Sequence, residues 1–260
     1  MPLPAEADSH VSQESGPGQL GPGNPDGEKV GPDRYWKRPG FAARYCRNFI
    51  DALSRNDYFV RFHMQCQMAI AQGIVYLCEK PDRILDAGCG HGIRAYEIQS
   101  KYIPGSVVIG CDYSEHMISH ANLIMQNLPV ESRVRCEQAS VYELPYQDAT
   151  FDVVYSYGLL MCIENVEAAV SELMRVSRHG LVAIEETPAV MDAIQLRYWT
   201  TYKEKTFPGR TYWHDYLKAF APYGTLAFNR IPTDIWEPLP ESPEAHKVAP
   251  GYARFISGKS

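Results

Sequence analysis

The chain has 260 residues, 45% hydrophobic and 22% charged, enough apolar material for one sizeable globular core. No apolar run reaches the ~20 residues that a membrane span needs, and the opening Met-Pro-Leu-Pro-Ala-Glu lacks the basic and apolar blocks of a secretory signal. The net charge of −6 is concentrated in residues 1–33, so the remainder lacks the basic excess that nucleic-acid phosphates require; a cytoplasmic protein without nucleic-acid or membrane partners is expected.

Residues 1–33 contain six prolines, six glycines and six acids against one lysine. Such a segment buries too little apolar surface to offset its ordering entropy, and a disordered tail is expected. From residue 34 to 260 one folded domain is expected. Phe41, Tyr45, Phe49 and Leu53 recur at helical spacing, and a second helix follows with Phe59, Phe62, Cys66, Ile70, Ile74 and Leu77 on one face. These two helices (34–80) are expected to cover one end of a sheet. Pro81 and Asp82 close the pair.

Strand and helix patterns then alternate. Residues 83–89, 106–112, 133–139, 151–157 and 180–185 read as strands, with helices over 92–102, from Ser114 to 128 and from Asn165. The rhythm implies a doubly wound, mostly parallel α/β sheet. Residues 187–213, rich in aromatics, interrupt it. A helix over 212–220 and two strands, 225–231 and 251–257, follow, with a Pro- and Glu-rich loop at 236–250 between them. The last pair would complete a seven-stranded sheet with an antiparallel edge. The seven cysteines are scattered without a Cys-x-x-Cys pair, so buried free thiols are expected rather than disulfides or a metal site.

The first strand runs directly into Asp86-Ala87-Gly88-Cys89-Gly90-His91-Gly92 and then a helix. Glycines allow a tight turn and the close approach of a bound nucleotide. The spacing is Gly-x-Gly-x-Gly, with Ile93 where a dinucleotide loop would place its third glycine. Asp86 at the strand end would repel a pyrophosphate and attract an ammonium group. Together with Ile109–Ser114, Ala139–Tyr146, Phe151–Val154 and Leu173–Ile184, in this order, the loop resembles the small-molecule branch of the class I S-adenosylmethionine-dependent methyltransferases.

That resemblance implies the Rossmann-like, seven-stranded methyltransferase fold and S-adenosylmethionine as cofactor, with S-adenosylhomocysteine as product. It places Gly88, Gly90 and Gly92 against the cofactor, Asp86 near its amino group and Asp112 on both ribose hydroxyls. Tyr113 either packs on the adenine or is an exposed turn residue. Where the family shows an acid before Leu-Pro, this chain has Ser140, whose hydroxyl can still accept one hydrogen bond; the Val141 backbone is a second adenine contact. Ser156 and Tyr157 fall where the methyl group faces the acceptor, and Tyr35 falls in a cover over the cofactor. His91 would touch the cofactor carboxylate or nothing. The catalytic candidates are His214 as base, Tyr157 and Glu186, with Glu185 also within reach of the site.

The aromatic stretch 187–213, with Arg197, Lys203 and Arg210, is expected to be a lid over a small aromatic or acidic substrate, or else a satellite core. The expected reaction is methyl transfer to an oxygen or nitrogen of a small metabolite by in-line displacement. A nicotinamide-dependent oxidoreductase and a cofactor-binding partner subunit without activity are the alternatives. The acceptor and the oligomeric state, homodimer included, are left open.

Overall fold

The computed structural model describes residues 36–37, 39–55, 57–129, 132–193, 196, 212–231, 237–238, 247–248 and 252–259. The expected tail at 1–33, Tyr35 and most of the 187–213 stretch, with Arg197, Lys203 and Arg210, lie outside these described residues.

Seven strands form one sheet: β1 Arg83–Ala87, β2 Val107–Asp112, β3 Val134–Gln138, β4 Phe151–Tyr157, β5 Ser177–Glu186, β6 Thr225–Arg230 and β7 Tyr252–Gly258. Their order is β3-β2-β1-β4-β5-β7-β6. The first five run parallel, and β7 is antiparallel to both of its neighbours. The helices are α1 Pro39–Arg55, α2 Asp57–Leu77, α3 Ile93–Tyr102, α4 Glu115–Met125, α5 Val166–Val176 and the short α6 Tyr216–Phe220. This is the Rossmann-like methyltransferase architecture. The chain reverses direction across the sheet between β1 and β4, which opens a crevice at their carboxyl ends.

Each strand alternates its side chains between two faces. Leu85, Ala87, Val154, Leu181 and Ala183 pack toward α5 and α6. Ile84, Val153, Tyr155, Val182 and Ile184 pack toward α2, α3 and α4. This parity decides which strand-end residues can share a site.

Caps fix the helix starts. Ser114 Oγ accepts from Met117 N at 3.3 Å, and Asn165 Oδ1 from Ala168 N at 3.0 Å, both positions readable from sequence. The helix expected from residue 212 begins only at Tyr216, because Asp215 Oδ1 accepts from Lys218 N and so makes residue 215 the cap. β5 starts at Ser177, earlier than its apolar run suggests, since Ser177 Oγ holds Gly180 N at 2.9 Å within the sheet. The expected loop 236–250 carries a short antiparallel ribbon, Glu237–Pro238 with Lys247–Val248.

The two N-terminal helices take different places, one along a face of the sheet and the other over the loop that follows β1. α2 lies along one face, over β4, β5 and β7, while α1 packs on α4 and α2. The cause is composition: Phe62, Cys66, Ile70 and Ile74 supply an apolar stripe that the central strands bury.

Candidate active site

β1 ends at Ala87 because Gly88, at φ +72°, turns the chain out of the strand, and Gly90 and Gly92 follow at +55° and +75°. A Cβ at Gly88 would stand 2.8 Å from Leu159 Cδ1, so the turn after β4 closes on the loop as only glycine permits. Gly88 N and Cys89 N both donate to Cys111 O, at 2.8 and 2.9 Å. Asp112 ties the loop to the next element: Oδ2 accepts from Gly90 N at 3.0 Å and Oδ1 from Ser114 N at 2.9 Å. Burial pushes its pKa up, and the amides of Ser114, Gly90 and Tyr113 pull it back. Each oxygen keeps a further lone pair for a ligand.

Asp86 is 2% exposed, and its Oδ2 has no hydrogen-bond partner among the described residues. Burial pushes its pKa up to about 7, against the pull of the Tyr155 hydroxyl and the Arg94 charge. Arg94, in the first turn of α3, lies 3.4 Å over the Tyr157 ring, whose other neighbour is Tyr252, stacked at 5.7 Å. Its Nη1 is likewise sealed from solvent without a partner among the described residues. His91 is held beneath α1, its ring 4.3 Å from Phe49 and 5.9 Å from Tyr45. Nδ1 accepts from Ile93 N, and burial followed by the Arg94 charge lowers its pKa to about 3, so the ring is neutral.

Next to these groups, Glu97 joins His63 at 2.7 Å and Lys101 at 2.9 Å, and Gln67 closes the network. Burial alone would raise the Glu97 pKa; the hydrogen bonds from His63 and Lys101 override it and hold it at about 2.

Across the crevice the organising group is Glu185. It is wholly buried, and its carboxylate accepts from Leu159 N, Leu160 N and Met161 N at 3.1–3.2 Å, holding the turn Leu160–Cys162 after β4. Burial pushes its pKa up to about 8 despite these bonds. The sequence offered only its place at a strand end. Its anchoring of the backbone depends on β5 lying beside β4.

The predicted site residues divide accordingly. Asp86, Tyr157 and Glu186 share the α2 face, and Glu186, 2% exposed, pairs in register with Tyr252. Ser156 points the other way; it is fully buried with its hydroxyl 3.5 Å from Glu185 Oε1. Tyr157, a catalytic candidate in sequence, has its ring occupied by Arg94 and Tyr252. His214 lies in the non-helical stretch before α6, Nε2 2.8 Å from Ile163 O and its ring 5.8 Å from that of Tyr216. Tyr113 lies beneath the Lys37 ammonium at 5.0 Å. Ser140 Oγ accepts from Tyr142 N at 3.3 Å, and Val141 is buried beside it.

All seven cysteines are free thiols, five of them buried. Among the described residues no group of three or more His, Cys, Asp or Glu side chains could hold a metal ion. No described helix is long and apolar enough to cross a membrane.

Residues 85–184 match the family model of a methyltransferase domain. An uncharacterised methyltransferase of Schizosaccharomyces pombe is 36% identical over 107 residues, 39% of this chain and 38% of that protein. The 27-O-demethylrifamycin SV methyltransferase of Amycolatopsis mediterranei is 36% identical over 99 residues, 38% of this chain and 36% of that protein. The match thus spans little more than a third of these relatives' length. In fold, the chain resembles magnesium protoporphyrin IX methyltransferase from Synechocystis PCC 6803, solved with S-adenosylhomocysteine bound: the TM-score is 0.62 at 20% identity, covering 87% of this chain and 97% of that one. Through residues 85–184, with its glycine loop and seven-stranded sheet, the chain is similar to the S-adenosylmethionine-dependent methyltransferases in sequence and fold.

Proposed function

We propose that this protein methylates an oxygen or nitrogen of a small metabolite, using S-adenosylmethionine, by in-line displacement, with residues 34–260 acting as one cytoplasmic methyltransferase unit. The observation that carries the reading is the buried Asp86 Oδ2, left without a hydrogen-bond partner among the described residues, beside a three-glycine loop strapped to Asp112. A buried acceptor without a donor is costly, and an ammonium group there removes the cost. When bound, the cofactor supplies a methyl carbon that its sulfonium makes electrophilic.

The chain's own residues bind and align. Gly88, Gly90 and Gly92 let the backbone come close, and Asp86 takes the ammonium. Asp112 has lone pairs left for the ribose hydroxyls. Tyr113, Ser140 and Val141 border the adenine. The Leu159–Cys162 turn, braced by Glu185, closes over the crevice and excludes water, which removes competing hydrolysis. Glu186 borders the acceptor side. His214, with Nε2 donating to Ile163 O, has Nδ1 to receive a proton from an acceptor hydroxyl; an uncharged amine acceptor has less need of it. Tyr35 and the 187–213 lid would complete the pocket for an aromatic or acidic acceptor.

Calorimetry with S-adenosylhomocysteine tests the cofactor half, with binding expected in the micromolar range. Absence of any heat or thermal shift with either adenosyl ligand overturns the reading. Transfer of labelled methyl to a panel of phenols, carboxylates and amines then tests the acceptor half.

A further inference from the structure

We propose that Cys89 and Cys136 form a reversible thiol pair that controls the glycine loop: a small disulfide entering through the cavity beside Cys136 oxidises the pair, and the cross-link weakens cofactor binding. The cross-link stands on the geometry below; its effect on the cofactor rests on the S-adenosylmethionine reading above.

Two observations carry it. The first is where the sulfurs lie. Cys89 sits in the loop after β1, and Cys136 lies on β3, two strands away. Between them β2 has Gly110, the register partner of Cys136. A Cβ at Gly110 would stand 2.9 Å from Cys89 Sγ and 3.2 Å from Cys136 Sγ, so both sulfurs occupy the space that this glycine leaves open. A Cβ at Gly92 would stand 2.9 Å from Cys136 Sγ, so the same sulfur also lies against the last glycine of the loop. The two thiols share a hydrogen bond. Cys111, next to Gly110, packs on the opposite face of the sheet and takes no part.

The second is a way in. An open cavity of about 350 Å³ is lined by Asn122, Met125 and Gln126 at the end of α4 and by Val134, Arg135 and Cys136 of β3, the edge strand. Arg135 sets a positive charge in its wall, which attracts the carboxylates of a peptide disulfide. Cys89 does not line this cavity, and the hydrogen bond with Cys136, followed by burial, raises its pKa well above the ordinary thiol value. Cys136 is therefore the entry thiol and Cys89 the second one.

The Cys136 sulfur attacks one sulfur of the reagent, whose S–S bond breaks, and the Cys136 proton goes to the departing thiol. The Cys89 sulfur then attacks the mixed disulfide at Cys136, and its proton goes to the second departing thiol. Two protein S–H bonds and one reagent S–S bond become one protein S–S bond and two free thiols; the pair gives up two electrons and the reagent takes them. An S–S bond is shorter than a thiol–thiol contact, so closure draws Cys89 toward β3. Cys89 N on Cys111 O and Gly90 N on Asp112 Oδ2 hold the loop on either side of that sulfur, and closure strains both bonds.

The full chain is equilibrated in mixtures of reduced and oxidised glutathione, unfolded in an alkylating agent and mapped by mass spectrometry. A Cys89–Cys136 cross-linked peptide from the monomer, removed by dithiothreitol, is expected. Calorimetry on the oxidised protein is expected to show S-adenosylhomocysteine bound about tenfold more weakly, a usual size for coupling between two sites. By reciprocity, saturating S-adenosylhomocysteine should make the cross-link about tenfold less favourable at equilibrium. Cys136→Ala is expected to bind S-adenosylhomocysteine as the reduced wild type does, and to keep that affinity in oxidised glutathione. Glutathione retained on Cys136 without the cross-link, or a cross-link that leaves the affinity unchanged, overturns the proposal. So does an equal loss of affinity in oxidised Cys136→Ala. Should that variant not fold, the wild-type map and its reversal by dithiothreitol decide. Failure of the reduced protein to bind any adenosyl ligand overturns the cofactor reading instead, and the peptide map still tests the cross-link.

Discussion

The two halves of the crevice are built differently. At the β1–β2 end the loop is held by its own backbone: glycines at positive φ, amides bonded to Cys111 O, and a carboxylate from the adjoining turn. At the β4–β5 end the turn Leu160–Cys162 is held by a buried side chain from another strand, Glu185. The first half follows from local residue types in a short stretch. The second exists only once β5 lies beside β4. The cofactor half should therefore respond to changes in backbone freedom, and the acceptor half to loss of one buried carboxyl group.

The largest expected effect is at Glu185. Glu185→Ala leaves three amides without their acceptor in a sealed place and is expected to cost about 3 kcal/mol in denaturant unfolding. Glu185→Gln keeps an acceptor oxygen and should cost much less. A similar loss in both variants would show that volume, not hydrogen bonding, braces the turn.

Gly88→Ala comes next, combining a disfavoured φ with a Cβ 2.8 Å from Leu159. About 2 kcal/mol of stability should be lost, and S-adenosylhomocysteine should bind more than tenfold more weakly. Unchanged binding would remove the loop from the site and end the contrast between the halves.

Smaller shifts are expected from pH. Ammonium binding needs Asp86 ionised, and a pKa of about 7 makes that fraction rise from about a tenth at pH 6 to nine tenths at pH 8. Affinity for S-adenosylhomocysteine should rise about tenfold over this interval, and Asp86→Asn should abolish the dependence. The ligand-free protein should show the reverse trend in stability. Asp86 and Glu185 have folded-state pKa values, about 7 and about 8, above those of the unfolded chain, so the folded state holds their protons more tightly. Stability is then lost as pH rises from about 4 through 8. Glu97, held down at about 2, has the opposite sign: its contribution is present above about 4.3 and is lost as pH falls toward 2. Thermal melts across pH 3–9 check both limbs.

The smallest effect on fold and cofactor binding is expected at His214. His214→Gln can still donate to Ile163 O, so stability should move by under about 0.5 kcal/mol and S-adenosylhomocysteine affinity by less than twofold. Methyl transfer to a hydroxyl acceptor should fall by at least about a hundredfold if His214 accepts its proton. Unchanged turnover would leave the base elsewhere on the acceptor side, and Glu186→Gln is then the variant to measure.

Much of this molecule follows from local chemistry. Alternating strand and helix periods, the caps Ser114 and Asn165, and the Gly-x-Gly-x-Gly loop after Asp86 determine the doubly wound sheet and the cofactor end, because each depends on residues a few positions apart. The tertiary structure alone decided which side chains meet. Strand parity turned Ser156 toward Glu185, and parity with inter-strand register set Glu186 and Tyr157 on one face of the sheet. The same packing seated Arg94 on Tyr157, near but not paired with Asp86. Those relations depend on contacts between segments distant in sequence, 29 residues for Ser156 and Glu185, 63 for Tyr157 and Arg94 and 190 for Tyr252 and Phe62. Local pattern carries no record of them.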